Sequence, residues 1–178
     1  MHRTTHIRLI ANYNQWMNNS LFTASQHLSH DQLIAHQGAF FGSILGTLNH
    51  IAVGDTIWLK RFAKHTAKHA ESQVFQSLAS PRSLNHFLFN TLPELAEYRS
   101  MLDAQIICWI EAISENDLDE TLEYTNMKGT VTRKNFFALL MHFFNHQTHH
   151  RGQVNTLLSQ NGVDFGDTDL VLLIPDDC

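Results

Sequence analysis

Asn145-His146-Gln147-Thr148-His149-His150-Arg151-Gly152-Gln153 holds the densest set of ligand-type side chains in this 178-residue chain. In a helix, His146 and His150 lie one turn apart on the same face. Two neutral imidazoles so placed can grip one divalent ion from one side, and a third ligand must then come from another helix. With a coordination position left open, the ion acts as a Lewis acid or makes a nucleophile of a bound water or thiol. His142 with His146 forms a competing pair. An imidazole on an apolar helix face is also commonly a hydrogen-bonded core residue, so HxxxH spacing by itself leaves both readings standing.

A helical wheel ranks the candidates. With Phe136 at zero and about 100° per residue, the apolar arc holds Phe136, Leu139, Leu140, Phe143, Val154, Leu157 and Leu158. His150 falls at about -40° and His146 at about -80°, inside and on the border of that arc. His142 and His149 fall at about -120° and -140°, farther from the interior. His142 and His150 are two turns apart, about 12 Å along the axis, too far to share an ion easily. The inner pair is therefore His146 with His150.

The third ligand is sought upstream. His50 sits nearly opposite Phe41 on the wheel of its own helix, which counts against it. Yet Gly42, Gly46, His50 and Gly54 recur every four residues. Helical glycine costs about 1 kcal/mol relative to alanine, so the row marks a close approach. A neighbouring helix or a cavity beside the imidazole would each account for it, and the neighbouring helix is the simpler reading.

The elements that must position these residues are helical. Apolar periodicity predicts helices over residues 6–27, 40–63, 84–113 and 132–160, with Pro93 forcing a break or late start in the third. Ser29 or Asp31 is a possible cap after the first helix. Residues 64–84 read as a polar linker with room for a short helix. Leu122-Glu123-Tyr124-Thr125 and Gly129-Thr130-Val131-Thr132 flank a turn and predict a small β-ribbon or irregular insert. After Gly162 the chain is loop-like, with Val171-Leu172-Leu173-Ile174 expected to pack back on the body. The expectation is an all-α, single-domain four-helix bundle spanning 1–178, with that insert before the last helix.

Composition narrows the function. Hydrophobic residues make up 43% and the formal charge is -5, with no basic run to contact nucleic acid. DNA binding ranks last on that ground. No stretch is long and apolar enough for a membrane span, and the first residues lack the apolar run of a signal peptide. Cys108 and Cys178 have no CxxC spacing, which fits a reducing cytoplasm. Thirteen histidines is the unusual count.

These motifs resemble the DinB family of metal-binding four-helix bundle proteins. Phe41-Gly42-Ser43-Ile44-Leu45-Gly46-Thr47-Leu48-Asn49-His50-Ile51, continuing through Ala52-Val53-Gly54-Asp55-Thr56-Ile57-Trp58-Leu59, is similar to the family's second-helix segment. The histidine-rich stretch above resembles its fourth-helix signature. Asn12-Tyr13-Asn14-Gln15-Trp16-Met17-Asn18 is similar to its opening helix. Gly162-Val163-Asp164-Phe165 and Thr168-Asp169-Leu170 resemble its closing segment. The resemblance implies a three-histidine site on His50, His146 and His150 for a divalent metal ion, zinc or nickel, and a homodimer. It also implies a small-molecule substrate or a low-molecular-weight thiol such as bacillithiol or mycothiol, since relatives include thiol S-transferases and isomerases. No further catalytic residue is assigned.

The remaining polar and aromatic residues carry plainer expectations. Arg151 could meet an anionic substrate group, but a surface salt bridge is the expectation. Asn49 and Asn145 adjoin proposed ligands but should point elsewhere. Asp55 lies in the apolar stripe and needs a partner, Tyr13 or a histidine. Trp16 and Trp58 are expected in the core, and Cys108 as a small core residue rather than a nucleophile. No nucleophile-elbow pattern occurs.

Overall fold

The computed structural model describes residues 2–65 and 69–176, so Cys178 lies outside the described residues. Four long helices form the body: α1 (Arg3–Ser25), α3 (Ile44–His65), α4 (Leu92–Ala112) and α5 (Phe136–Gln160), with a short α2 (His30–Ile34) after the first. α1 packs along α4 and α5, and α3 packs along α5. An antiparallel ribbon of β1 (Thr121–Thr125) and β2 (Val131–Asn135) precedes α5 and pairs Thr121 with Asn135 and Thr125 with Val131. The chain is thus a mostly helical bundle with a small β insert, as its periodicity predicts.

Local chemistry sets the boundaries. Gly42 has φ +79° and turns the chain, so α3 starts at Ile44 rather than near residue 40. Ser43 then accepts the Gly46 N–H at 3.0 Å, tying off the helix start. Pro93 sits in the first turn of α4, where its missing N–H costs nothing, and the helix therefore begins at Leu92 instead of residue 84. Ser29 and Gln32 form a reciprocal capping box that starts α2, a turn of helix that the polar break at Ser29 hid. Asn135 caps α5 by accepting the Ala138 N–H at 3.0 Å, which ends the ribbon and delays the helix from residue 132 to Phe136. The 64–84 linker carries a 3-10 segment at Ala70–Ser77. The tail forms a 3-10 turn at Leu170–Leu173 that lies against α1, with Leu173 half-buried and Val171, Leu172 and Ile174 exposed, so the run packs back on the body only in part.

The interior is layered. One apolar cluster, near the ribbon, contains Phe62, Trp109, Phe136 and Phe143; Phe62 stacks on Trp109 with centroids 5.4 Å apart. The other, at the opposite end, contains Leu21, Leu45, Leu48, Leu95, Val154 and Leu158. Burying each such side chain contributes roughly 1.5–3 kcal/mol.

Between the clusters in sequence lies a buried polar set drawn from all four long helices: Asn14, Asn18, Asp55, Arg99, Asp103, Gln147 and Arg151. Arg99 bonds Asp55 and pairs with Asp103 at 2.8 Å. Asp103 accepts from Asn18 at 3.0 Å and from Asn14 at 3.3 Å. Arg151 donates to Asn14 and reaches Asn18 at 3.4 Å. Burial pushes the Asp55 carboxyl up to about 7 against the pull of Arg99, and raises Asp103 in the same way. Burial also lowers Arg151, to about 10, with Tyr13, Asp103 and Asp55 opposing.

This layer corrects two expectations. Arg151 is 4% exposed and belongs to the interior, not to a surface ion pair. Asp55 is indeed structural, but its partner is Arg99 rather than Tyr13 or a histidine. Cys108, expected in the core, is exposed. Trp58 and Trp16 are half-buried against the two clusters.

Removing one member of a buried ion pair strands the other. Arg99→Ala should therefore destabilise the fold by about 3–5 kcal/mol, whereas loss of the α5 cap in Asn135→Ala should cost about 1 kcal/mol. Urea denaturation of the two variants checks the ordering.

Candidate metal centre

His50 projects from the second turn of α3, and His146 and His150 from successive turns of α5. The three offer ring nitrogens that all lie within 4.8 Å of one another. His50 Nε2 and His146 Nε2 are 3.1 Å apart. Nitrogens bound to one ion at about 2.1 Å lie roughly 3–3.4 Å from each other, so this pair is already at coordination spacing.

The outer nitrogens orient the inner ones. His50 Nδ1 is 2.7 Å from the Leu84 carbonyl, and His150 Nδ1 is 2.7 Å from Gln153 Oε1. Each oxygen calls for a donated Nδ1–H, which leaves Nε2 of both rings as a bare lone pair. His146 Nε2–H then donates to His50 Nε2 across the 3.1 Å contact, and an ion held by all three rings would have to displace that proton.

Burial keeps the rings neutral. It holds His146 at about 3, with His150 and His50 adding repulsion, against an ordinary value of 6.5. It lowers His50 and His150 as well, though the Leu84 carbonyl and Gln153 pull the other way. Neutral imidazole is the form a metal binds.

Two neighbours shape the site. Phe41 stacks on His50 with centroids 3.6 Å apart and meets His150 edge-on at 5.5 Å. The helical wheel set Phe41 opposite His50, but Phe41 precedes the helix, and the turn at Gly42 brings its ring over the imidazole. The glycine row resolves into separate causes. Gly42 supplies the turn, a Cβ on Gly46 would lie 2.2 Å from the Phe41 carbonyl, and one on Gly54 would lie 2.8 Å from His146 Cε1. Only Gly54 makes room for the site, and what it admits is the third imidazole itself.

His142 and His149 stay outside the group. His142 lies against Trp58, with centroids 5.3 Å apart, and lines a cleft of about 290 Å³ that opens beside His50 and His146. Trp58, Tyr124 and Met127 wall this cleft, two of them from the ribbon and its turn. Trp58 thus has a second role that its apolar spacing did not show. Asn145 is exposed. Asn49 is buried and accepts the Leu88 and Phe89 N–H groups at 2.8 and 3.1 Å, holding the segment that carries Leu84. Its position one residue before His50 was the available signal, though its action is on the loop and not on the ring.

Gly54→Ala should leave α3 intact but push His146 aside, weakening zinc uptake by tenfold or more, about the loss seen when a ligand's support is removed. Competition with a fluorescent chelator measures it. The metal-free protein should also lose stability with acid. The folded imidazoles titrate below the unfolded value of 6.5, so the unfolded chain takes up more protons as pH falls from there toward the folded value of about 3 for His146. His146→Phe should flatten that dependence in urea titrations between these limits.

Residues 1–175 match the DinB family model. The chain is similar to Protein DinB of Bacillus subtilis (strain 168), with 25% identity over 164 residues, covering 91% of this chain and 90% of that protein. With a family match of nearly full length, and a buried three-histidine group able to hold a metal ion, the chain belongs to the DinB family.

Proposed function

We propose that His50, His146 and His150 hold a divalent ion, zinc or nickel, and that the protein is a metal-dependent enzyme acting on a small molecule. The reaction is thiol S-transferase-like or hydrolase-like. The observation that carries this reading is the bare Nε2 lone pairs of His50 and His150 converging with His146 beside a cleft. When bound, the ion would supply Lewis-acid polarisation and ease deprotonation of a thiol or water. The chain's own residues do the rest. Leu84 and Gln153 fix the tautomers of the two anchored rings. Phe41 covers His50 and the edge of His150, shielding that side from water. Trp58 and Tyr124 confine what enters the cleft.

We further propose a single domain, assembled as a homodimer in a reducing cytoplasm. No helix among the described residues is long and apolar enough to cross a membrane. A second reading, a non-enzymatic metal-binding dimeric module, is favoured by the exposed apolar side chains of Phe40 and Leu172, which a partner copy would cover.

Elemental analysis of untagged protein should find one divalent ion per chain. Stripping it with a chelator, or His150→Ala, should abolish transfer or hydrolysis in a screen of small electrophiles with low-molecular-weight thiols, and added zinc or nickel should restore the stripped protein only. Undiminished turnover after either treatment removes the metal-dependent reading of this site.

A further inference from the structure

The cleft beside the three imidazoles is one-signed. Among its lining residues there is no Asp, Glu or Lys, and Arg61 carries the permanent charge. The chain as a whole is at -5, so a cationic cleft runs against the overall balance. Arg61 is also held in place. Its guanidinium carbon lies 4.7 Å from the Trp58 ring centroid and 4.9 Å from that of Tyr124, and Nη2 donates to the Thr125 carbonyl at 3.2 Å. A guanidinium has five N–H donors in a planar fork. That one bond leaves most of the fork free, and among the described residues no carboxylate pairs with it.

Stacking on two rings restricts the fork without neutralising it, which suits bidentate capture of a planar anion. His50 and Arg61 lie at opposite ends of the lining, with an axial rise of about 16 Å between their Cα atoms. The wall between them is Ile57, Trp58 and Tyr124, apolar or aromatic.

We propose that Arg61 anchors a carboxylate of the small molecule taken into this cleft, so that the ligand is an anion with an apolar body whose other end reaches the imidazole triad. The second half of that statement rests on the proposed metal reading; the first does not. The β-ribbon then serves as a specificity wall, because Tyr124 and Thr125 set the guanidinium.

The test uses matched acid and alcohol pairs. Calorimetric titration of the zinc-loaded protein with ω-mercaptohexanoate and ω-mercaptohexanol should show the acid binding roughly tenfold tighter, the scale of a charge-assisted pair. Arg61→Gln should erase that preference while leaving the alcohol within about twofold, and Arg61→Lys should retain part of it. Equal binding of acid and alcohol, or a preference that survives in Arg61→Gln, overturns the anchor. If Arg61 is only a strut for the ribbon, Arg61→Gln lowers the melting temperature with the acid preference intact, which also overturns it. Hexanoate and hexanol titrated into the metal-free protein separate the two ideas. An Arg61-dependent preference for hexanoate, with no metal-dependent uptake of either thiol, upholds the anchor and removes the metal reading. Metal-dependent uptake of both thiols with equal affinity does the reverse.

Discussion

The bundle depends on a charge problem solved in its middle. Arg99 and Arg151 are buried with Asp55 and Asp103, and such groups persist in an interior only where each meets an opposite charge or a polar partner. Asn14 and Asn18 add contacts to Asp103 and Arg151, so that with the Arg99–Asp55 bond all four long helices are tied together. An ion pair of this kind adds little net stability over a well-packed apolar group, but a slipped register would leave charges stranded. The layer therefore acts mainly as a register device. Its members neighbour the site residues in sequence: Asp55 follows Gly54, and Arg151 follows His150. The network that fixes the rotation and height of α3 and α5 also fixes where the imidazoles meet.

Much of this was legible from residue types and spacing. Four helical stretches, the ribbon before the last of them and the late start at Pro93 follow from local rules, and the structure has each. The pairing of His146 with His150 rather than His142 followed from the wheel, and the three ring nitrogens do gather. His50 was less visible. On a regular helix extended back to residue 40 it faced away from Phe41, and only a glycine at positive φ reverses that relation. A single glycine with two possible roles, helix contact or turn, is ambiguous until its backbone is seen.

The polar layer was hidden for a different reason. Arginine on a helix is exposed by default, and Arg151 is not. On the wheel that ranked the histidines, Gln147 falls at about 20° and Arg151 at about 60°, within the apolar arc. Both are buried. A charged or amide side chain at the centre of an apolar arc, matched by Asn14 and Asn18 four apart on α1, was the available sign of an internal network. Cys108 erred in the opposite direction: its small apolar character said core, and its place on the outer face of α4 says otherwise.

The hold of Leu84 on His50 has a thermodynamic side. The carbonyl that selects the ring's tautomer belongs to the stretch before α4, which Asn49 pins through the Leu88 and Phe89 amides. Any displacement of that stretch frees His50 Nδ1 and alters the basicity of its other nitrogen. By reciprocity, whatever occupies the imidazole group must tighten the same stretch by an equal free energy. An ion bound to the group would thereby steady an exposed stretch of chain at Leu84.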